Sequence, residues 1–504
     1  MSNLSRRTFI SGVAAMPFAL WLSRGAHAAV PVIRYDIASP AGASMLDIYA
    51  DAVWKMQARG QDDPLSWFWQ WYTHFVDGTT TKANEITRVF GTTATPQSSL
   101  ATDMWNTCQS HSGQNSNNFL PWHRMFLFFM ENIVRQVSGH PEFAMPYWNY
   151  TSSDLSLRGV VPPQFRLSAD GLYGCLYRPD RTTLANTGQP IQKSQTGDLM
   201  DITTAMAAPT YSTVGTVQGF CRAIDSGIHG RIHVLVGTSK NMGSVPYAGR
   251  DPLFWVHHSS IDRMWASWNA NGGVNPSTAT WATRSFVFAD TQGQRVSSML
   301  KDYFDMATLG HTYDAFIAPA VVVQPAATTT MLAASTNTST NTSTNTVPES
   351  VAKARASVEL GDNPVHVALL PVAGTRRTPV LGLDSMQPGK RTYLVLKDLH
   401  VWKQPEVLYH VYLRPARGGA GLSKASYVGN INFFDAEFHD HGHGAMGDVI
   451  GENFYSFDVT ELLRNIARSG SHDASDALLV SFAPGGHPTA GADPLVGKVE
   501  LKRQ

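Results

Sequence analysis

Residues 119–139, FLPWHRMFLFFMENIVRQVSG, restrict the possible folds more than any other stretch of the chain. They read as a helix, with a proline near the first turn and Ser-Gly at the end, yet most faces are apolar. A helix that is apolar almost all round has to be buried, and this one takes His123 inside with it. Three further segments behave alike. Asp62-Asp63-Pro64 offers acidic caps and an N-terminal proline to LSWFWQWYTHFVDG (65–78), which carries His74 near its end. SGIHGRIHVLVG (226–237) spaces His229 and His233 four residues apart on one helical face, and DPLFWVHHSSIDRMWASW (251–268) opens a fourth helix bearing His257-His258. The expectation is a mainly α catalytic domain whose four-helix bundle holds a metal site.

The donor set narrows the chemistry. The chain has 18 histidines and three cysteines (Cys108, Cys175, Cys221), with no CxxC pair and no HExxH. Structural zinc through cysteine and a zinc protease with its glutamate base are therefore disfavoured, while all-imidazole ligation suits copper, zinc, iron or nickel. Lys plus Arg equals Asp plus Glu at 39 each, which removes the positive field that nucleic acid or an anionic membrane surface would require. No apolar run reaches the roughly 20 residues of a membrane-spanning helix, so no membrane anchoring is expected.

Residues 1–28 have the layout of a signal peptide, with Arg6-Arg7-Thr8-Phe9-Ile10, an apolar stretch and Ala26-His27-Ala28. The paired arginines resemble a twin-arginine signal, so export to the periplasm or medium from a bacterial source is expected. Residues 29–323 are expected to form the catalytic domain. QPAATTTMLAASTNTSTNTSTNTVPES (324–350) is read as a flexible Ser/Thr/Asn linker, and 351–504 as a β-rich, sandwich-like C-terminal lid domain. Tyr427, Phe433 and Phe434 are expected on exposed turns of that lid. The HDHGHG run (439–444) reads either as a solvated loop or as a copper-handling strand.

The stretch HSGQNSNNFLPWHRMFLFFME (111–131), together with GIHGRIHVLVG and DPLFWVHHSSIDRMWASW, resembles the two copper-binding regions of the type-3 copper family, the tyrosinases, catechol oxidases and hemocyanins. YVGNINFFD (427–435) is similar to a stretch in plant polyphenol oxidase tails. The resemblance implies two copper ions, the first on His74, His111 and His123 and the second on His229, His233 and His258. His257 is then an interior neighbour. It also implies O₂ as co-substrate, hydroxylation of monophenols to o-diphenols and oxidation of o-diphenols to o-quinones. The expected partners are small phenols; the sequence leaves the oligomeric state open.

Several second-line expectations follow from the same resemblance. Phe254 packs on an imidazole. Asp262 either accepts a ring N–H or pairs with Arg263 or another basic group. Many tyrosinases carry Asn after the first ligand of the second copper, with an acidic residue shortly before it, and together these orient a water that deprotonates the phenol. Here Gly230 replaces the Asn and Asp225 is the acidic candidate, so diphenol oxidation is more secure than monophenol hydroxylation. A catechol oxidase or o-aminophenol oxidase is the alternative, and an oxygen carrier a remote one. Val234 and Val245 are expected to leave a small apolar mouth. Cys108 stands three residues before His111, where some relatives form a Cys-x-His thioether; the different spacing predicts no crosslink here.

Overall fold

The computed structural model describes residues 31–74, 82–108, 116–319, 347–372, 390–417, 421–437, 454–469 and 477–504. The signal segment, His111, most of the linker and the HDHGHG run lie outside the described residues.

The apolar helix forms as Phe119–Ser138, entered through a short 3-10 turn at Ser116–Asn118 and closed by Gly139 at φ 81°. That left-handed residue costs glycine least, so the Ser-Gly signal marks the helix end correctly. Two long helices pack against it, Pro40–Gln57 and Leu253–Ala270. Pro40–Gln57 is capped by Ser39, whose hydroxyl accepts from the Gly42 N–H at 3.0 Å. Leu253–Ala270 is buried at every position from Leu253 to Trp268.

The helix expected over 65–78 is shorter. The Asp63 carboxylate accepts from the Leu65 N–H at 2.8 Å and turns the chain first, so Ser66 rather than an aspartate caps a helix of Trp67–Tyr72. His74 therefore follows the helix, buried at 1% exposure.

Asp262 ties the bundle together. It accepts from the Arg34 guanidinium at 2.9 Å, from Arg124 and from the Tyr313 hydroxyl at 2.7 Å, while Arg34 also pairs with Glu131 at 2.6 Å. All four charged side chains are at most 3% exposed. Of the alternatives for Asp262, the ion pair is thus realised, with Arg34 and Arg124. Arg263 donates instead to the Ala315 carbonyl.

The helical unit also carries short strands, β1 (Val32–Arg34) paired with β4 (His311–Tyr313), and β2 (Ser285–Ala289) paired with β3 (Arg295–Met299). Beyond it the chain is β-rich, as expected, and its first strand, β5 (Glu349–Lys353), already begins inside the stretch read as linker. Strands β6 (Val358–Glu359), β7 (Val365–Pro371), β8 (Thr392–His400), β9 (Tyr409–Pro415), β10 (Tyr427–Ile431), β11 (Phe454–Asp458), β12 (Leu478–Pro484) and β13 (Leu495–Arg503) follow. They form one antiparallel sheet in the order β10-β9-β12-β7-β5-β13-β8-β11, with β6 on β13. The sandwich-like layering is therefore achieved by curling a single sheet. Its two end strands meet, since a Cβ on Gly429 of β10 would lie 2.6 Å from the Phe457 ring of β11.

Leu408 and Phe434 of this second unit belong to the hydrophobic core of the first. Among the described residues no helix is long and apolar enough to cross a membrane.

Candidate metal centre

The two histidine-bearing regions converge. His74, His123, His229, His233, His257 and His258 are each 3% exposed or less. A kinked turn with irregular backbone at Gly227 precedes His229, and helix Gly230–Val236 then carries His233, so the two rings face one another. His123 and His258, from different helices, stack with centroids 4.0 Å apart and planes 7° apart. His74 lies 5.8 Å from His123 by ring centroids.

Hydrogen bonding fixes which nitrogen points inward for three of the rings. His233 Nδ1 lies 2.7 Å from the Met242 carbonyl and so carries the proton. His229 Nδ1 lies 3.3 Å from the Asp225 carbonyl and 3.2 Å from its carboxylate. His123 Nδ1 donates to the Phe119 carbonyl at 2.9 Å. These tautomers turn the lone pairs of His229 Nε2 and His233 Nε2 toward each other at 3.0 Å. Two facing lone pairs repel unless a cation stands between or beside them. The donor set therefore fits a metal ion.

Burial keeps the rings in the ligating form. Desolvation, then the neighbouring His229, lowers His74 to about 3, and desolvation holds His123, His257 and His258 well below the usual imidazole range. Each buried polar atom without a partner costs about 1–3 kcal/mol, and both ring nitrogens of His257 and of His258 are such atoms. The ligating atoms of His229, His233, His257 and His258 all lie within 4.8 Å of one another.

Phe254 packs edge-on to His74 at 5.1 Å and against His258 at 4.2 Å. Asp225 is buried behind His229, also 3.5 Å from Arg222. It thus stands on the side of the ring away from the lone pair and holds the imidazole in place. Val234 and Val245, expected at an open mouth, are 4% and 3% exposed.

The mouth is covered by the C-terminal unit. Phe433 and Phe434, expected on exposed turns, are 0% and 1% exposed, and Tyr427 is half-buried with its hydroxyl donating to the Thr196 carbonyl at 3.1 Å. The Phe434 ring stacks on His233 with centroids 4.0 Å and planes 10° apart. Asp435 pairs with buried Arg222 at 3.0 Å. Asn432 donates to the Ser226 carbonyl at 2.9 Å, and a Cβ on Gly230 would lie 2.5 Å from its Oδ1. Gly230 is thus the notch into which Asn432 fits. Sequence reasoning missed roles for Asn432, Asp435 and Arg222; only the YVGNINFFD run (427–435) around the aromatic pair marked the place, and it carried no direction.

Cys108 is half-buried and its thiol donates to the His74 carbonyl at 2.7 Å. Peptide mass spectrometry is expected to find Cys108 and His111 unlinked; a peptide joining them and lighter by two hydrogens would overturn this.

Fold and site define a class, a helical bundle with a buried histidine cluster that fits a metal, plugged by a β-barrel-like unit. Residues 64–175 and 174–271 match the common central domain of tyrosinase. Over that region the chain thus carries a tyrosinase domain, and the comparisons support a place among the type-3 copper enzymes. It is 27% identical over 483 residues to the tyrosinase HcTyr1 of Hahella sp. (strain CCB-MM4), covering 90% of this chain and 96% of that one. It is 24% identical over 410 residues to a chloroplastic polyphenol oxidase of Vitis vinifera, covering 76% and 64%. In fold it is similar to latent apple tyrosinase (TM-score 0.59, 19% identity, covering 94% of this chain and 97% of that one). A latent aurone synthase (polyphenol oxidase) gives a TM-score of 0.59 at 19% identity, covering 94% and 89%.

Proposed function

We propose that the chain is a dicopper tyrosinase that oxidises o-diphenols to o-quinones with O₂ and also hydroxylates monophenols, and that its C-terminal unit keeps it latent. The observation that carries the copper reading is the pair of inward lone pairs of His229 and His233 facing each other at 3.0 Å within a buried ring of imidazoles. His74, His123 and the undescribed His111 would hold one ion, and His229, His233 and His258 the other. The bound metal pair supplies the electrons and coordination positions for O₂ chemistry. In the diphenol reaction two o-diphenols give up their electrons and protons to one O₂, leaving two o-quinones and two waters.

The chain's own residues set the conditions. The backbone carbonyls of Phe119, Asp225 and Met242 accept the ring N–H groups of His123, His229 and His233, so these three imidazoles keep their lone pairs on the metal side. Phe119, Phe254 and Trp122 exclude water around the rings. Phe434 occupies the space over His233 that an aromatic substrate would take, which supports latency. Release of the tail and metal analysis test the reading together: two coppers per chain and quinone formation from catechol after proteolysis in the linker are expected. Copper-free protein, or no gain on cleavage, would sink it. Twin-arginine export belongs to the same proposal, supported by Arg6-Arg7-Thr8-Phe9-Ile10 alone.

Gly230→Asn separates the two reactions. Any side chain at 230 pushes Asn432 out, so Gly230→Ala and Gly230→Asn should both raise diphenol turnover of the full chain. Only Gly230→Asn adds an amide beside His229, and it should raise the monophenol-to-diphenol ratio above that of Gly230→Ala. Equal ratios in spectrophotometric assays would show that the amide is immaterial here.

A further inference from the structure

The contact that closes the metal centre has two parts, and they come from consecutive residues. Phe434 lays its ring on His233, and Asp435 sets its carboxylate 3.0 Å from Arg222 Nη1. Arg222 lies on the short helix Phe220–Ala223 of the helical unit, with its side chain 1% exposed. Its own unit offers Asp225, one oxygen of which stands 3.5 Å from Nη1 while the other stands 3.2 Å from His229 Nδ1. The guanidinium is thus one carboxylate away from a ring of the centre. The C-terminal unit adds the closer Asp435 and the Phe454 carbonyl, which accepts from Nε at 3.4 Å. Departure of that unit takes both away and opens the space they fill.

Docking alone does not call for this arrangement. Replacing a buried ion pair by well-packed apolar side chains is often neutral or stabilising, so a purely structural contact has no need of an arginine here. A ligand that meets the helical unit when the tail is away does need one. The planar guanidinium fork matches a carboxylate. In the closed chain the tail fills the place with an aromatic ring followed directly by a carboxylate.

We propose that Arg222 is a carboxylate-binding residue of the open site, selecting phenols that carry an acid on a short side chain, and that Phe434 and Asp435 stand in for the two ends of such a substrate. Adjacent Cα atoms lie about 3.8 Å apart across a trans peptide, and each of the two groups hangs from its own Cα. An acid set two carbons from the ring therefore matches the pair better than one attached to the ring directly. The proposal rests on the phenol-oxidase reading above and names its substrate class.

Two catechols of nearly equal size test it, dihydrocaffeate and its uncharged amide, oxidised by linker-cleaved protein. The acid should show a KM about tenfold or more below that of the amide, the effect of one charge-assisted hydrogen bond. Arg222→Gln should erase the difference, and Arg222→Lys should keep part of it. Any disturbance of Asp225 and His229 by these variants changes turnover of both compounds alike and leaves the ratio untouched. Binding gives a readout without turnover: in saturation-transfer NMR on metal-free, linker-cleaved protein, hydrocinnamate should bind more tightly than hydrocinnamide to the wild type but not to Arg222→Gln. Equal KM values in the wild type, or a preference that survives Arg222→Gln, overturn the proposal and leave the oxidase reading intact. If neither catechol is oxidised after cleavage, the oxidase reading falls, and the NMR comparison decides the carboxylate site by itself.

Discussion

His229→Ala or His233→Ala should leave one copper per chain and lower catechol oxidation more than about 100-fold, beyond the upper end of what even an outer-shell partner of a metal ligand costs. Each of these rings is aimed by its own acceptor, the Asp225 carbonyl for His229 and the Met242 carbonyl for His233, so the neighbouring ring cannot swing to replace a missing one. The first metal position rests on other segments, including His74 after Trp67–Tyr72 and His123 on Phe119–Ser138, and should still fill. Metal analysis and a quinone assay on linker-cleaved protein check both halves of the expectation. Retained diphenol oxidation in either variant would remove these residues from the site.

Phe434→Ala should activate the uncleaved chain. A buried Phe cut to Ala loses about 3–5 kcal/mol, and 3 kcal/mol shifts a docking equilibrium by about 100-fold. Here the ring stacks on His233 and also touches His229 at 5.7 Å, so the loss falls on the contact that covers the metal centre. Diphenol turnover of Phe434→Ala should approach that of the linker-cleaved wild type, and cleavage should add little more. A variant as inactive as the wild type, yet still activated by cleavage, would mean that Phe434 is packing and the obstruction lies elsewhere in the tail.

The histidine helices were legible because burial leaves a one-dimensional trace: apolar residues on nearly every face of 119–138 admit no placement but the interior. The doublet and the His-x3-His pair were legible for the same reason. Helix 65–78 was overextended because Asp63 spends its carboxylate on a turn before the helix, a choice that no periodicity records. The tail aromatics were misplaced for a different reason. Phe433 and Phe434 lie in a Gly- and Asn-flanked run that reads as a surface turn, and it is buried only because a second unit meets it. Gly230 read as a missing Asn, whereas its lack of a side chain is a fitting for Asn432; a contact between residues 202 positions apart leaves no local pattern.

The loop that carries Phe434 is tied into its own sheet on every side. Gln404 donates to the carbonyls of Phe433 and Phe434, the Tyr455 hydroxyl on β11 both donates to and accepts from the Asn432 backbone, and Val401 bonds to Ala436. A plug held this way has no hinge of its own. Phe434 leaves the metal centre when the whole barrel departs and not before, so partial opening by a breathing loop is not available to small substrates. Activation should then behave as a switch with a threshold, and a population of half-active samples should consist of fully shut and fully open molecules.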